Sequence, residues 1–434
     1  MPSISTTVNF AADPGRLSEL ADAIVRQQLS PVDLMQACLA RIDAVEPHVR
    51  AWREVDRERA LAAALERARE AQNGLIRGPL HGIPVAIKDI IDVEGLTTKC
   101  NSGSRANVAA ATADAEIVLA LKAQGAIVLG KVHTTEFAFF DPSPARNPHN
   151  IGHTPGGSSS GSAAAVAAGM VPLAIGTQTV ASVNRPAAYC GVAAFKPSSR
   201  SLSNFGIAPL GPSYDTPGVF GWTVADAVYA YRAVAPAFAV SREVPPSPVI
   251  VVLEDEHLRD ASAEMRAALA NLQQRLTASG AKVEKRQAPI EFNRLFQIQR
   301  STMLYEASRA MRDFLTLPPG QIGEKLLAAI AEGSAITEQR YLDERREIDH
   351  MRRTFLDETK SADAFLWPAT PGPAPKGLGW TGEPKYIAPW TALGGPMITI
   401  PSGFTADGLP LGCILCGRPG DDLFLAALAM RHLE

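Results

Sequence analysis

The chain has 434 residues, 46% of them hydrophobic, and its 42 Lys+Arg against 45 Asp+Glu leave a formal net charge of −3. That balance gives no footing for nucleic acid or an anionic membrane surface as a partner, and the apolar fraction is ample for a large core. No stretch approaches the roughly 20 apolar residues of a membrane helix. The N-terminal MPSISTTVNFAADPGRL has neither a basic start nor an apolar run, so a cytoplasmic protein is expected.

Five cysteines, an odd count on a long chain, do not form a disulfide framework. Cys413 and Cys416 are spaced CxxC but lie in LPLGCILCG, which reads as a buried strand whose residues three apart face opposite ways. His149 and His153 sit in RNPHNIGHTP, where Pro and Gly forbid the helix that would align them as ligands. Neither a metal nor a cofactor is expected.

In chain order, Arg16–Gln28 has helical apolar spacing. Ser30-Pro31-Val32-Asp33 then opens a second helix expected to run to about Ala44 and stop before Pro47. Ala51–Asn73 reads as a third, so residues 16–73 form an N-terminal helical brace. Ile83–Ile87 is a short buried strand ending on Lys88; Asp114–Gln124 is a helix and 125–130 a turn and strand. Strand Ser247–Leu253, helix Asp260–Ser279 and strand Ala281–Val283 follow the central stretch. Phe292 to about Thr359 is mostly helical, Glu338–Arg353 being a solvated face, and residues 290–360 are expected to cover a substrate site. Short strands at Ala364–Leu366, Met397–Ile400 and Leu411–Leu415 precede a closing helix, Asp421–Leu433. Helices alternating with apolar strands imply an α/β fold with helices on both faces of the sheet.

The chain is organised around Gly156–Pro197, where four serines crowd positions 156–162 and a second small-residue turn holds Ser182. Gly and Ser permit tight turns with free backbone N–H donors close to a reacting group. Lys88, at a strand end, can snorkel to the surface and pair with Asp89 or Asp92. Buried instead, its pKa falls; reaching neutrality from roughly 10.4 takes about 4 kcal/mol. A serine needs a base before it is nucleophilic, and neutral Lys88 drawing a proton from Ser158, which draws one from Ser182, supplies it without histidine. Gly157-Ser-Ser-Ser-Gly161 also fits GxSxG with Ser159 as nucleophile, but RNPHNIGHTP before it is no strand and no telling acid–His pair follows. A phosphate loop lacks its Lys-Ser/Thr.

Gly82–Asp89, Gly156–Ser162, Gly176–Pro186 and Phe195-Lys196-Pro197 together resemble the amidase signature family, with support from Leu129-Gly-Lys-Val, Thr381-Gly-Glu-Pro384 and Gly408–Gly412. The wording of Gly176–Gly191 is similar to the malonamidase-type branch. The resemblance implies a large, mixed and twisted β-sheet in a single domain spanning 1–434, with Lys88 as base, Ser158 as bridge and Ser182 as nucleophile. It implies an oxyanion hole on the N–H groups of Thr179, Val180, Ala181 and Ser182, with Ser159 and Gln178 orienting the relay. Arg185 matches a position that binds a substrate carboxylate.

Two departures stand out. Val180 and Ala181 replace a usual Gly-Gly, and a β-branched residue is a poor occupant if φ must be positive. Asn184 replaces an aliphatic residue and either enters the acyl pocket or faces solvent. The expected activity is hydrolysis of the C–N bond of a small carboxamide through an acyl-enzyme. A carbamate presents the same carbonyl to the same serine. An impaired or partner-dependent amidotransferase subunit is the further reading, disfavoured because that subunit's usual Asp is Gln178 here. Pocket walls are expected from Ser201–Tyr214 and Phe292–Ala335, and the resemblance allows a homodimer.

Overall fold

The computed structural model describes residues 9–236 and 241–434. Helix α1 (Leu17–Val25) buries Leu17, Ala21 and Ile24, the apolar face its spacing marks. Helix α2 (Pro31–Val49) begins with Pro31 at its first position and Ser30 accepting from the Val32 N–H. It does not stop before Pro47. That proline lies in the last turn, where it removes a single helical bond, and the carboxylate of Glu46 just before it accepts from the Ala51 and Trp52 N–H groups.

The expected third helix is shorter than its sequence suggests. Trp52–Val55 forms strand β1 instead, antiparallel to a later strand, and Asp56 then caps α3 (Arg57–Gln72) by accepting from the Arg59 N–H. The chain continues as β2 (Pro84–Lys88), α4 (Glu116–Ala123), β3 (Ile127–Val132), α5 (Ser160–Ala167), β4 (Leu173–Gln178), α6 (Asn184–Cys190) and β5 (Ala193–Lys196). Next come β6 (Thr216–Gly221), α7 (Val224–Val234), β7 (Val249–Glu254), α8 (Ala263–Ala278) and β8 (Lys282–Gln287). The helical stretch resolves into α9 (Phe292–Ala310), α10 (Glu324–Ser334) and α11 (Glu338–Glu358). Strand β9 (Ala364–Pro368), α12 (Ala388–Leu393), β10 (Met397–Phe404), β11 (Pro410–Cys416) and α13 (Asp422–Leu433) complete it.

The strands join in one 11-stranded sheet of order β1-β3-β2-β4-β6-β5-β10-β11-β9-β7-β8. Pairing is mixed: β2 runs parallel to β3 and β4, and β7 to β8 and β9, while β4–β6–β5–β10–β11–β9 is antiparallel throughout. Every residue of β2, β4 and β11 is buried, so both faces of the central sheet are covered. Cys413 and Cys416 lie within β11 as buried free thiols. Among the described residues no helix is long and apolar enough to cross a membrane.

The sheet order also brings two chain segments together. It sets the carboxyl end of β2, where Lys88 sits, beside the carboxyl end of β4, which runs into the Ser182 turn.

Candidate active site

Lys88 is fully buried and does not snorkel. The surface pairing is closed to it, because Asp89 is bound by Lys131 at 3.1 Å. The parallel register places Ile87 opposite Ile175, which carries Lys88 toward Thr177. Its Nζ lies 2.8 Å from Ser158 Oγ and 2.8 Å from Thr177 Oγ1, with the Thr177 carbonyl at 3.5 Å. Burial drives the Lys88 pKa well below its ordinary 10.5, only partly opposed by the charge of Asp215.

Ser158 and Ser159 sit at the mouth of α5. Gly156 turns the chain there with φ +83°, and the Gly157–Ser158 peptide is cis. The Ser159 hydroxyl donates to the Thr177 carbonyl and accepts from the Thr177 N–H, both at 3.2 Å. A Cβ on Gly176 would come within 2.5 Å of that hydroxyl, which is why β4 carries glycine at this point. Both hydrogen bonds commit the Ser159 hydroxyl to β4, and the residue has no exposure.

Ser182 is 6% exposed and sits just before α6. Its carbonyl accepts from the Ser159 N–H at 3.3 Å, tying the two serine turns together. Among the described residues no protein hydrogen bond holds its hydroxyl.

Gln178 braces the turn that holds Ser182 from the other side. Its Oε1 accepts from the N–H groups of Val183 and Asn184, the unsatisfied donors at the start of α6, and its Nε2 donates to Thr391. The carbonyls of the intervening loop are all engaged: Thr179 by Gln299 Nε2, Val180 by Thr391 Oγ1, and Ala181 by the Arg185 N–H. In a trans peptide the N–H lies opposite the C=O, so engaging these carbonyls turns the following N–H groups the other way. Among the described residues the N–H groups of Thr179, Val180, Ala181 and Ser182 donate to no protein acceptor. Neither Val180 nor Ala181 has positive φ, so this loop does not need the glycines it lacks.

Arg185 is buried, and burial lowers its pKa to about 10. Its Nη2 donates to the Gly157 carbonyl at 2.7 Å and to Thr381 Oγ1 at 3.1 Å, and Nη1 to the Gly382 carbonyl at 2.5 Å. The donors that the resemblance offers to a substrate carboxylate are largely committed to protein oxygens. Asn184 neither faces solvent nor enters a pocket. It is fully buried, with its amide donating to Thr399 of β10 at 3.0 Å.

A cavity of about 440 Å³ opens beside this loop. Phe296, Gln299 and Met303 of α9 and Ala329 of α10 form walls, as the Phe292–Ala335 expectation requires. The other expected segment, Ser201–Tyr214, supplies none of them. It backs the loop instead: Leu210 and Gly211 donate to Asp215, which also receives Thr179 Oγ1 at 2.5 Å. Outside α9 and α10 the walls are Phe139, Phe140, Val180, Trp380, Glu383 and Pro384. Thr177, Asp215, Gln299 and Thr391 were not singled out by sequence. Only Thr177 left a signal, lying one parallel strand over from Lys88.

Solved structures set the class. A peptide amidase from Stenotrophomonas maltophilia superposes with a TM-score of 0.82 at 28% identity, over 99% of this chain and 98% of that one. The amidase family profile matches residues 33–425, and the chain belongs to that family. A putative amidase, AmiA2 of Mycobacterium tuberculosis, is 31% identical over 95% of this chain and 91% of its own length. A glutamyl-tRNA(Gln) amidotransferase subunit from Roseiflexus is 41% identical over 51% of this chain, and the match spans about half, 46%, of that protein.

Proposed function

We propose that the chain is an amide hydrolase, with Ser182 as nucleophile, Ser158 as bridge and Lys88 as base, acting on the C–N bond of a small carboxamide. The observation that carries this reading is the 2.8 Å contact of Lys88 Nζ with Ser158 Oγ in a site that favours the neutral amine. Ser182 closes the second leg by rotating its free hydroxyl toward Ser158, while its carbonyl accepts from the N–H of the next residue along, Ser159.

The neutral Lys88 amine accepts the Ser158 hydroxyl proton as Ser158 takes the Ser182 proton. Ser182 Oγ bonds to the amide carbon, and the carbonyl electrons move onto oxygen, where the free N–H groups of residues 179–182 meet the charge. One such donor is worth about 2.7–4 kcal/mol in comparable sites. Re-forming the carbonyl breaks the C–N bond, and the proton on Lys88 returns through Ser158 to the leaving nitrogen. Water then enters by the same path, releasing the acid and restoring Ser182. Arg185 acts in this reading as a positioning residue that clamps the Gly157 carbonyl beside Ser158.

The test is intact mass after a fluorophosphonate probe, with peptide mapping, followed by turnover of small amides and a carbamate by the isolated chain. A single adduct on Ser182 with amide turnover is the expected result. An adduct on Ser159, or none anywhere, overturns the assignment; turnover of the carbamate alone moves the chemistry to urethanes.

A further inference from the structure

Gln299 does two things at once. Its Nε2 donates to the Thr179 carbonyl at 3.1 Å, which fixes the orientation of the amide and leaves Oε1 as the other end. That Oε1 is buried and has no donor in the protein, although the side chain as a whole has no exposure. The same residue is a wall of the 440 Å³ cavity, next to Val180 of the loop that precedes Ser182. A buried acceptor without a donor is destabilising, and one carried by a residue of a cavity wall is a place where a ligand group can complete the bonding.

The rest of the cavity narrows what that ligand is. Phe139, Phe140, Phe296, Met303 and Trp380 make its walls flat and apolar. Its charged lining residues are two cations, Arg300 and Lys325, and two anions, Glu332 and Glu383. Arg300 and Glu332 are joined by two hydrogen bonds of 2.6 and 2.7 Å, and Lys325 Nζ donates to the Gly379 carbonyl at 2.8 Å. A cavity of balanced charge with an aromatic wall does not select an ionised group.

We propose that Gln299 is the specificity-determining acceptor of this cavity, and that the site takes an uncharged amide whose flat apolar group carries one O–H or N–H donor that meets Gln299 Oε1. This rests on the amidase reading of the same site. The donor-bearing substrate is preferred because the analogue without a donor leaves Oε1 unpaired, as in other sites built around a buried polar group.

The experiment compares phenylacetamide with its 2-, 3- and 4-hydroxy derivatives, in the parent and in Gln299→Met and Gln299→Glu. The parent is expected to favour at least one hydroxy isomer by about tenfold in kcat/KM, mainly through KM. Gln299→Met, of similar size but without the acceptor, should bring that ratio to about one, and Gln299→Glu should retain it where its carboxyl is protonated, the O–H donating to the Thr179 carbonyl and the other oxygen accepting from the ligand. A parent ratio within twofold for every isomer overturns the proposal. So does a uniform loss in Gln299→Met with the ratio unchanged, the result of a role confined to holding Thr179. Calorimetric binding of the same compounds to Ser182→Ala separates the two readings. A preference present in binding while the parent turns nothing over overturns the amidase reading alone; no preference in binding overturns this one.

Discussion

Two lysines at the same depth on neighbouring strands meet opposite fates. Lys88 of β2 and Lys131 of β3 are both fully buried, and the parallel register puts Ile87 opposite Lys131 and Lys88 opposite Val132. Lys131 has a carboxylate, Asp89, at 3.1 Å, and Thr98 Oγ1 at 3.1 Å. Lys88, one residue before that carboxylate, has two hydroxyls and a carbonyl but no anion in hydrogen-bond contact. Burial without an adjacent counter-charge disfavours the ammonium form of Lys88, and the charge of Asp215 opposes this only in part. A one-residue step along β2 thus separates a structural ion pair from a group able to take a proton.

That contrast can be broken from either side. Lys88→Ala should lower kcat by about 10³-fold or more, within the range of lost general-base catalysis, while circular dichroism and the thermal midpoint stay close to the parent's. Lys131→Met should do the reverse. It leaves a buried carboxylate on Asp89 unpaired and should lower the unfolding free energy by about 3–5 kcal/mol, read by denaturant titration, with turnover persisting in the folded fraction. Addition of Asp89→Asn should recover part of that loss. If both single variants lose stability alike, the distinction between the two lysines fails.

Smaller effects sharpen the picture around Ser158 and Ser182. Arg185→Lys cannot hold Gly157, Thr381 and Gly382 with one planar fork. It should lower kcat about tenfold with KM little changed, since about one hydrogen bond to a charged group is lost; a raised KM with unchanged kcat would instead point to substrate contact. The smallest effect is expected from Val180→Gly with Ala181→Gly. Because neither residue has positive φ, glycine relieves no strain and adds unfolded-state entropy, so stability should fall by about 0.4–1 kcal/mol per site with no gain in rate. A faster enzyme would mean the native loop impairs catalysis.

The lysine and both serine turns were legible because local chemistry marks them. A lysine closing an apolar strand and serines packed among glycines draw notice, the resemblance to the amidase signature family supplied their roles, and the α/β class followed from alternation. Strand β1 was not legible, since Trp52–Val55 lies among Arg, Glu and Ala that favour helix, and its edge position is set by pairing with β3. Nor were Asp215, Gln299 and Thr391. They reach the loop that precedes Ser182 from segments 36 to 213 positions distant, and nothing in their own surroundings marks them. Arg185 shows the converse: its position within a malonamidase-like stretch suggested a ligand, while its hydrogen bonds show a clamp.

The lysine also sets a direction for pH. Its folded-state pKa lies below the ordinary 10.5 of an unfolded chain, so between the two values the unfolded state binds the extra proton. Its contribution to stability therefore rises as pH climbs through that window, and the reactive neutral form accumulates above the lower value.

The rate of fluorophosphonate labelling at Ser182, followed against pH in the parent and in Lys88→Ala, tests the central claim most directly. The parent should show an acid limb far below pH 10.5, and Lys88→Ala should label at least about 10²-fold more slowly with that limb gone. An unchanged rate and an unchanged limb in Lys88→Ala would contradict the relay.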